Sequence, residues 1–215
     1  MKYKTIVFDY DGTLHESMYI YYNAFLKAYD YLVSENLQPK RNWTKVEVSK
    51  FLGQNPKEMW ASFIPKLSDD VITKVSSMVG KYMEEAIFNQ EAKLYEGTIE
   101  VLEYLKNKGY KLIYLSNSKI YYLEAHKKAF NLDEYFDQFY VSEMFDYIPK
   151  HKILKKIKNE FDTPILMIGD RIHDIESGYL NQIDTVACLY GYGNEEEFQN
   201  ATYKINDIKE LMNLL

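Results

Sequence analysis

The chain has 215 residues, of which 47% are hydrophobic and 27% are charged. This composition argues against disorder and favours one large domain or a domain that carries an insert. The 26 basic and 32 acidic residues give a net charge of −6, which argues against a nucleic-acid partner bound through a broad basic surface. The single cysteine, Cys188, excludes a disulfide within the chain.

We expect a cytoplasmic protein without membrane contact. No apolar run reaches the 18 residues of a transmembrane span. The N-terminus passes directly into a strand pattern, without the apolar segment of a signal peptide. The sequence leaves the oligomeric state open.

The first predicted element is a short buried strand over residues 6–8, followed at once by Asp9 and Asp11. Side chains alternate along a strand, so these two carboxylates can leave its end on the same side. Two close carboxylates repel each other unless a cation or a proton lies between them. The pair is therefore a candidate for Mg²⁺ binding and acid–base chemistry, with an ordinary solvated turn as the alternative.

Residues 15–91 show helical spacing of apolar residues and no convincing strand. Four residues mark predicted helix starts, namely Ser17, Thr44, Pro56 and Ser68. Gly53 is expected to end the second of these helices. We therefore predict an all-helical cap domain over residues 15–91, inserted into a core domain of residues 1–14 and 92–215.

Strand and helix patterns alternate from residue 92 onward. The predicted strands are 112–115, 136–141, 164–168, 185–189 and 203–205, and the predicted helices are 97–108, 119–130, 152–161, 174–180 and 207–214. Continuously apolar strands that alternate with helices are typical of a parallel sheet covered on both faces. The predicted fold is therefore α/β, a Rossmann-like parallel-sheet core with the helical insert.

Polar side chains directly follow three of the predicted strands. Asp9 and Asp11 follow the first strand, Ser116 follows the second and Asp170 follows the fourth. Ligands of open α/β sheets bind beyond the carboxyl ends of the strands, so we expect these groups to converge there.

These motifs resemble the haloacid dehalogenase superfamily of phosphatases, most closely its phosphoglycolate-phosphatase-like members with a small helical cap of the C1 type. The resemblance covers nearly the whole chain. It is carried by residues 9–13 (Asp-Tyr-Asp-Gly-Thr), 94–97 (Leu-Tyr-Glu-Gly), 116–118 (Ser-Asn-Ser), a lysine near 150, 169–174 (Gly-Asp-Arg-Ile-His-Asp) and 189–193 (Leu-Tyr-Gly-Tyr-Gly).

The resemblance implies a mechanism through an aspartyl-phosphate. Asp9 is the expected nucleophile, and Asp11 the expected acid and base for the leaving alcohol and the attacking water. Mg²⁺ would be held by a carboxylate oxygen of Asp9, the backbone carbonyl of Asp11 and a carboxylate oxygen of Asp170.

The resemblance also implies phosphate-binding groups. Ser116 would donate to a phosphoryl oxygen, helped by the backbone N–H groups of Tyr10 and Asn117. Ser116 or Ser118 could instead be a helix N-cap. Asp174 is expected to orient a metal-bound water or the lysine, or to cap the helix that follows it.

The phosphate-binding lysine that the resemblance implies does not follow directly from a motif match. The family places this lysine in a Lys-Pro motif, whereas here the order is Pro149-Lys150-His151-Lys152. We assign Lys150, because it lies just ahead of a predicted helix, and keep Lys152 as the alternative. The other lysines of that helix are expected on a solvated face.

Other polar residues near the motifs receive weaker assignments. In the helical insert, Gln54 or Lys57 is expected either to contact the leaving group or to lie in an ordinary turn. His15 is expected at the surface or in a hinge rather than in catalysis. Arg171 and His173 are expected to be structural or peripheral.

The sequence therefore predicts a Mg²⁺-dependent phosphatase that acts on a small phosphorylated metabolite, with phosphoglycolate as the leading substrate. Asp11 disfavours carbon–halogen chemistry, because dehalogenating relatives lack this acid. A phosphomutase or phosphotransferase of the β-phosphoglucomutase type, a pyrophosphatase and a nucleotidase remain alternatives. A non-catalytic interaction protein on the same fold would be expected to lack at least one of Asp9, Asp11, Ser116 and Asp170.

Overall fold

The computed structural model describes residues 2–52 and 56–215. A six-stranded sheet of strand order β3-β2-β1-β4-β5-β6 forms its centre, and every neighbouring pair of strands is parallel. The strands are β1 (Thr5–Phe8), β2 (Lys111–Ser116), β3 (Gln138–Val141), β4 (Ile165–Gly169), β5 (Asp184–Cys188) and β6 (Tyr203–Ile205). The predicted α/β fold with a parallel sheet is therefore confirmed.

The apolar runs of the central strands are explained by their burial. In the register of the sheet, Phe8 of β1 lies opposite Tyr114 of β2 and Ile168 of β4, and all three side chains are buried. A strand buried on both faces has few solvent-facing positions, so its sequence is a nearly continuous apolar run. This arrangement brings the carboxyl ends of β1, β2 and β4 to one edge of the sheet.

The helices in chain order are α1 (Met18–Ser34), α2 (Lys45–Ser49), α3 (Pro56–Ala61), α4 (Asp69–Phe88), α5 (Thr98–Asn107), α6 (Ile120–Phe130), α7 (Lys150–Ile157), α8 (Ile172–Tyr179) and α9 (Leu211–Leu214). Helix α7 packs the apolar side chains of Ile153, Leu154 and Ile157 into the core beside the sheet. It begins at Lys150, two residues earlier than predicted, and Pro149 is its N-cap, with a φ of −53° in the range that the proline ring favours.

The chain divides into two compact units. One contains Met1–Glu16 and Leu94–Leu215, and therefore the sheet; the other is Ser17–Lys93. The sequence placed these boundaries after residues 14 and 91. In the described part of Ser17–Lys93 the regular elements are helices α1 to α4, with no strand.

An aromatic core holds the helical unit together. Phe25 of α1 stacks on Trp60 of α3, with ring centroids 5.5 Å apart, and contacts Trp43 edge to face. Thr44 caps α2 as predicted, and Glu47 completes a capping box. Helix α2 ends at Ser49, earlier than the predicted stop at Gly53, which lies outside the described residues.

None of the helices in residues 2–52 and 56–215 combines the length and the apolar character that crossing a bilayer requires.

Candidate active site

The site begins where the two central strands end. Asp9 follows the last residue of β1, and Asp170 follows the last residue of β4. The backbone N–H of Asp9 donates to the carbonyl oxygen of Ile168 over 2.8 Å, which continues the sheet pairing past the end of β1. The pairing therefore places these two aspartates side by side at the same edge.

Three buried carboxylates form a cluster at this edge. One carboxylate oxygen from each of Asp9, Asp170 and Asp174 lies within 4.8 Å of the other two. Asp174 joins the two strand-end residues because it lies in the first turn of α8, which starts at Ile172, two residues after Asp170. Such a set of oxygen donors fits a hard divalent cation such as Mg²⁺.

Lys150 supplies the positive charge beside this cluster. Its Nζ donates to Oδ1 of Asp9 over 2.7 Å and to Oδ1 of Asp174 over 2.6 Å, and the residue is only 4% exposed. Lys150 is the first residue of α7, so its long side chain reaches the strand ends from there. Lys152, the alternative considered from the sequence, is exposed.

The electrostatics of the cluster leave negative charge uncompensated, since three carboxylates face one ammonium group. Burial and the neighbouring Asp174 raise the pKa of Asp9 to about 7, although Lys150 opposes the shift. Burial, Asp9 and Asp174 raise the pKa of Asp170 well above its ordinary value. A divalent cation among these oxygens would supply the missing charge, so the donor set fits such an ion.

Close packing around Asp170 fixes its carboxylate. The backbone N–H of Tyr192 donates to Asp170 Oδ2 over 2.7 Å. Gly12 has a φ of +83°, and a Cβ on it would lie 2.1 Å from the same oxygen. A side chain at position 12 would therefore be strained and would also displace Asp170.

Asp174 combines the two roles considered for it. One oxygen accepts from Lys150, and the other accepts from the backbone N–H of Arg171 over 3.0 Å at the start of α8. Asp174 thus orients the lysine and satisfies an N–H group at the helix N-terminus.

Asp11 lies outside the three-carboxylate cluster defined above. Its Oδ1 accepts from the Tyr122 hydroxyl over 2.8 Å and pairs with Nδ1 of His15 over 2.9 Å. His15 is fully buried and stacks on the ring of Tyr10, so a surface position for it is wrong. The imidazole of His15 is buried because it packs among the rings of Tyr10 and His126.

Ser116 is the last residue of β2 and is buried, whereas Asn117 directly after it is exposed. Helix α6 has Lys119 as its N-cap, and Glu143 accepts the backbone N–H of Ile120 over 2.7 Å. Neither Ser116 nor Ser118 is therefore the N-cap of this helix.

The remaining sequence candidates lie in separate places. Gln54 lies outside the described residues. Lys57 is exposed and its Nζ lies 3.7 Å from Asp69 within the helical unit. Arg171 pairs with Glu197 over 3.0 Å, and His173 is exposed.

The sequence reasoning missed the groups that contact Asp11 and Asp170 from distant segments. Tyr122 carries no motif and differs in no visible way from its neighbour Tyr121. The Tyr192 N–H is a backbone group, although the sequence had marked residues 189–193. No pattern in a single sequence distinguishes a tyrosine that faces an aspartate from one that faces the core.

Comparisons with known proteins identify the family of this chain. Residues 6–188 match the model of the haloacid dehalogenase-like hydrolase family. Pyrophosphatase PpaX of Bacillus mycoides (strain KBAB4) is 26% identical over 194 residues, covering 88% of this chain and 85% of the relative.

Solved structures share the fold along the whole chain. A predicted phosphoglycolate phosphatase from Haemophilus somnus 129PT superposes with a TM-score of 0.83 at 22% identity, covering 100% of this chain and 98% of that one. CbbY from Rhodobacter sphaeroides, in complex with phosphate, gives a TM-score of 0.78 at 21% identity, with coverages of 97% and 96%.

Proposed function

Because the chain belongs to the haloacid dehalogenase-like hydrolase family, whose model it matches over residues 6–188, we propose that it is a magnesium-dependent phosphatase. Its substrate is a small phosphate monoester, and the reaction passes through an aspartyl-phosphate on Asp9. The observation that carries the proposal is the buried contact of Lys150 with Asp9 and Asp174, beside Asp170.

The nucleophile in this proposal is the carboxylate of Asp9. It attacks phosphorus, the bond from phosphorus to the ester oxygen breaks, and the leaving alcohol departs. Water then attacks the aspartyl-phosphate, releasing inorganic phosphate and restoring the carboxylate. Two anions must approach each other in the first step, so the site has to neutralise charge.

Charge neutralisation is assigned to Lys150 and to a cation. The ammonium group of Lys150 lies 2.7 Å from Asp9 Oδ1, close to where the phosphoryl oxygens would gather. Mg²⁺ would be held by carboxylate oxygens of Asp9 and Asp170 and by the backbone carbonyl of Asp11. When bound there, it would polarise the phosphoryl group and stabilise its negative charge.

Proton transfer is assigned to Asp11. It gives a proton to the leaving oxygen in the first half of the reaction and takes one from the attacking water in the second. Ser116 and the backbone N–H groups of Tyr10 and Asn117 hold the phosphoryl oxygens by hydrogen bonds. Asp174 keeps Lys150 in place, as its 2.6 Å contact with Nζ supports.

Phosphoglycolate is the leading substrate of the proposal, and pyrophosphate, a phosphoanhydride rather than a monoester, is the alternative. Phosphoglycolate is supported by the motif resemblance and by the phosphatase that shares the fold. Pyrophosphate is supported by the name of the curated relative at 26% identity. A cytoplasmic location and a helical cap over residues 15–91 stay predictions from the sequence.

A panel assay tests the proposal. Purified protein would be incubated with phosphoglycolate, pyrophosphate, hexose phosphates, nucleoside monophosphates and p-nitrophenyl phosphate, each with Mg²⁺ and with excess EDTA, and released phosphate measured. We expect Mg²⁺-dependent release from at least one ester and none by Asp9→Asn. Release by Asp9→Asn at the parent rate would overturn the covalent role of Asp9.

The same assay separates hydrolysis from group transfer. A phosphomutase or phosphotransferase would pass the phosphoryl group to an added hexose phosphate, and little free phosphate would appear. Faster loss of substrate on addition of the acceptor, without a matching rise in free phosphate, would replace the hydrolase assignment with a transferase.

A further inference from the structure

Asp11 is held by two side chains that the family motifs do not include. The Tyr122 hydroxyl donates to Asp11 Oδ1 over 2.8 Å, and Nδ1 of His15 lies 2.9 Å from the same oxygen. Tyr122 lies on α6 and His15 lies four residues after Asp11, so two separate segments of the chain contact the carboxylate of Asp11.

Both donors are themselves fixed by a buried aromatic cluster. The His15 ring lies 4.4 Å from the ring of His126 and stacks on Tyr10. The Tyr122 ring also lies 4.4 Å from His126. Nδ1 of His126 lies within hydrogen-bond distance, 2.8 Å, of the Tyr10 hydroxyl, and this contact holds the imidazole ring in place.

A group that moves a proton must be held in hydrogen-bond reach of the reacting oxygen, and the rate falls steeply when it is misplaced. The side chain of Asp11 is 31% exposed, whereas His15 and Tyr122 are buried. An exposed carboxylate without partners would sample several rotamers. The contacts from Tyr122 and His15, which belong to a buried cluster, restrict the Asp11 carboxylate to one rotamer.

We propose that Tyr122 and His15 are positioning residues that orient Asp11 for proton transfer. This inference rests on the proposed function of Asp11 as the acid and base. It adds to that function two residues that contact the Asp11 carboxylate.

The experiment compares two substrates of nearly equal shape, p-nitrophenyl phosphate and phenyl phosphate. The p-nitrophenolate leaves readily without a proton, whereas the more basic phenolate requires one. A residue that orients the acid should therefore matter more for phenyl phosphate. The variants are Tyr122→Phe, which removes only the hydroxyl, and Tyr121→Phe, which removes the neighbouring hydroxyl of the same helix as the control.

We expect Tyr122→Phe to lower kcat on phenyl phosphate about tenfold, the effect of one hydrogen bond to a charged group, and on p-nitrophenyl phosphate less than about threefold. Tyr121→Phe should leave both values unchanged. Equal losses on both substrates, no loss, or a gain would overturn the inference; a gain would indicate a contact that restrains Asp11 in a resting orientation.

His15 provides an independent test if Tyr122→Phe folds poorly. His15→Leu removes the donor and should show the same substrate-dependent loss, whereas His15→Asn offers an amide N–H near the position of Nδ1 and should restore much of the phenyl phosphate rate. Thermal melting of each variant reports folding. An inactive parent enzyme, or an active Asp9→Asn variant, would instead overturn the proposed function itself.

Discussion

The Nζ atom of Lys150 lies 2.7 Å from Oδ1 of Asp9, a buried contact between residues 141 positions apart in sequence. The same Nζ is bound by Asp174, so the ammonium group has one fixed place at the end of β1. Burial alone would lower the pKa of Lys150, but Asp174 and Asp9 raise it above its ordinary value. The lysine is therefore charged at every pH at which the enzyme would work.

Replacing Lys150 tests whether its charge contributes to activity more than the charge of a nearby surface lysine. We expect Lys150→Gln to lower kcat/KM by about 10²- to 10³-fold, the usual effect of removing one donor to developing charge. Lys152→Gln is the matched control, because Lys152 is exposed on the same helix, and it should keep parent activity. Steady-state kinetics on the best substrate of the panel measures both. A larger loss in Lys152→Gln would transfer the phosphate-binding role to that residue.

Gly191 is expected to control how Asp170 is placed. A Cβ at position 191 would lie 2.3 Å from Cβ of Asp170 and 2.6 Å from the carbonyl oxygen of Gly12. Gly191→Ala should therefore displace Asp170 and weaken Mg²⁺ activation by about tenfold or more. A loss of this size is usual when a residue that supports a metal ligand is changed. The measurement is the Mg²⁺ concentration at half-maximal activity.

Gly109→Ala is the control for that substitution. Nothing lies within 4 Å of a Cβ there, but φ is +86°, so alanine is strained. We expect a loss of stability of about 1 kcal/mol, with no change in Mg²⁺ activation. An unchanged Mg²⁺ requirement in Gly191→Ala would show that the packing around Asp170 tolerates the added methyl group.

The stabilisation of the protein by Mg²⁺ should increase with pH. The folded pKa of Asp9, about 7, lies above its unfolded value near 4, so without metal Asp9 favours folding when protonated. That contribution is complete below pH 4 and is lost as pH rises through 7. Mg²⁺ binds the ionised form, and its effect therefore has the opposite pH dependence.

Thermal melting with Mg²⁺ and with EDTA at pH 5.5 and pH 8 measures this difference. We expect a clearly larger rise of Tm on addition of Mg²⁺ at pH 8 than at pH 5.5. Asp170→Asn removes one proposed ligand and should reduce the rise at both values. A rise of Tm independent of pH would argue against binding at Asp9 and Asp170.

His126 is expected to make the protein sensitive to acid. Burial and the neighbouring His15 lower the pKa of His126 to about 2, whereas the unfolded value is near 6.5. The unfolded state therefore binds a proton below pH 6.5 that the folded state does not bind. From pH 7 to pH 5 this linkage should remove about 2 kcal/mol of stability.

His126→Asn tests the origin of that loss. The asparagine amide can still form a hydrogen bond with the Tyr10 hydroxyl but does not titrate in this range. The variant should be less stable at pH 7, and the difference from the parent should shrink by about 2 kcal/mol at pH 5. Urea unfolding at the two pH values measures it, and a constant difference would assign the acid sensitivity to other groups.

The apolar runs of β1 and β4 made the meeting of Asp9 and Asp170 predictable. Continuous apolar strands imply a parallel sheet, and parallel strands end at one edge, so residues that follow them must lie close together. Lys150 was predictable for a related reason, since a residue at the start of a helix ahead of β4 reaches that edge. The carboxylates of Asp9, Asp170 and Asp174 lie together as this reasoning requires.

The partners of Asp11 were not predictable, because they depend on which face of α6 packs inward. Tyr121 and Tyr122 are adjacent and chemically identical, yet Tyr122 is buried and donates to Asp11, whereas Tyr121 is exposed. The end of the chain shows a similar limit. The helix predicted over 207–214 is divided into a 3₁₀ turn, Ile208–Glu210, and the short α9. The side chain of Asp207 caps the 3₁₀ turn by accepting the backbone N–H of Lys209.

The bridge between His15 and Leu94 has a consequence for how this chain can vary. It joins the residues that flank the insert, and the backbone N–H of Tyr95 donates to Leu14 over 2.9 Å beside it. The chain thus leaves the sheet unit after residue 16 and returns to it at residue 94, and backbone hydrogen bonds join these two places. Because both ends of the insert meet at this bridge, we expect that residues 17–93 can be lengthened, shortened or exchanged without shifting the register of any strand of the sheet.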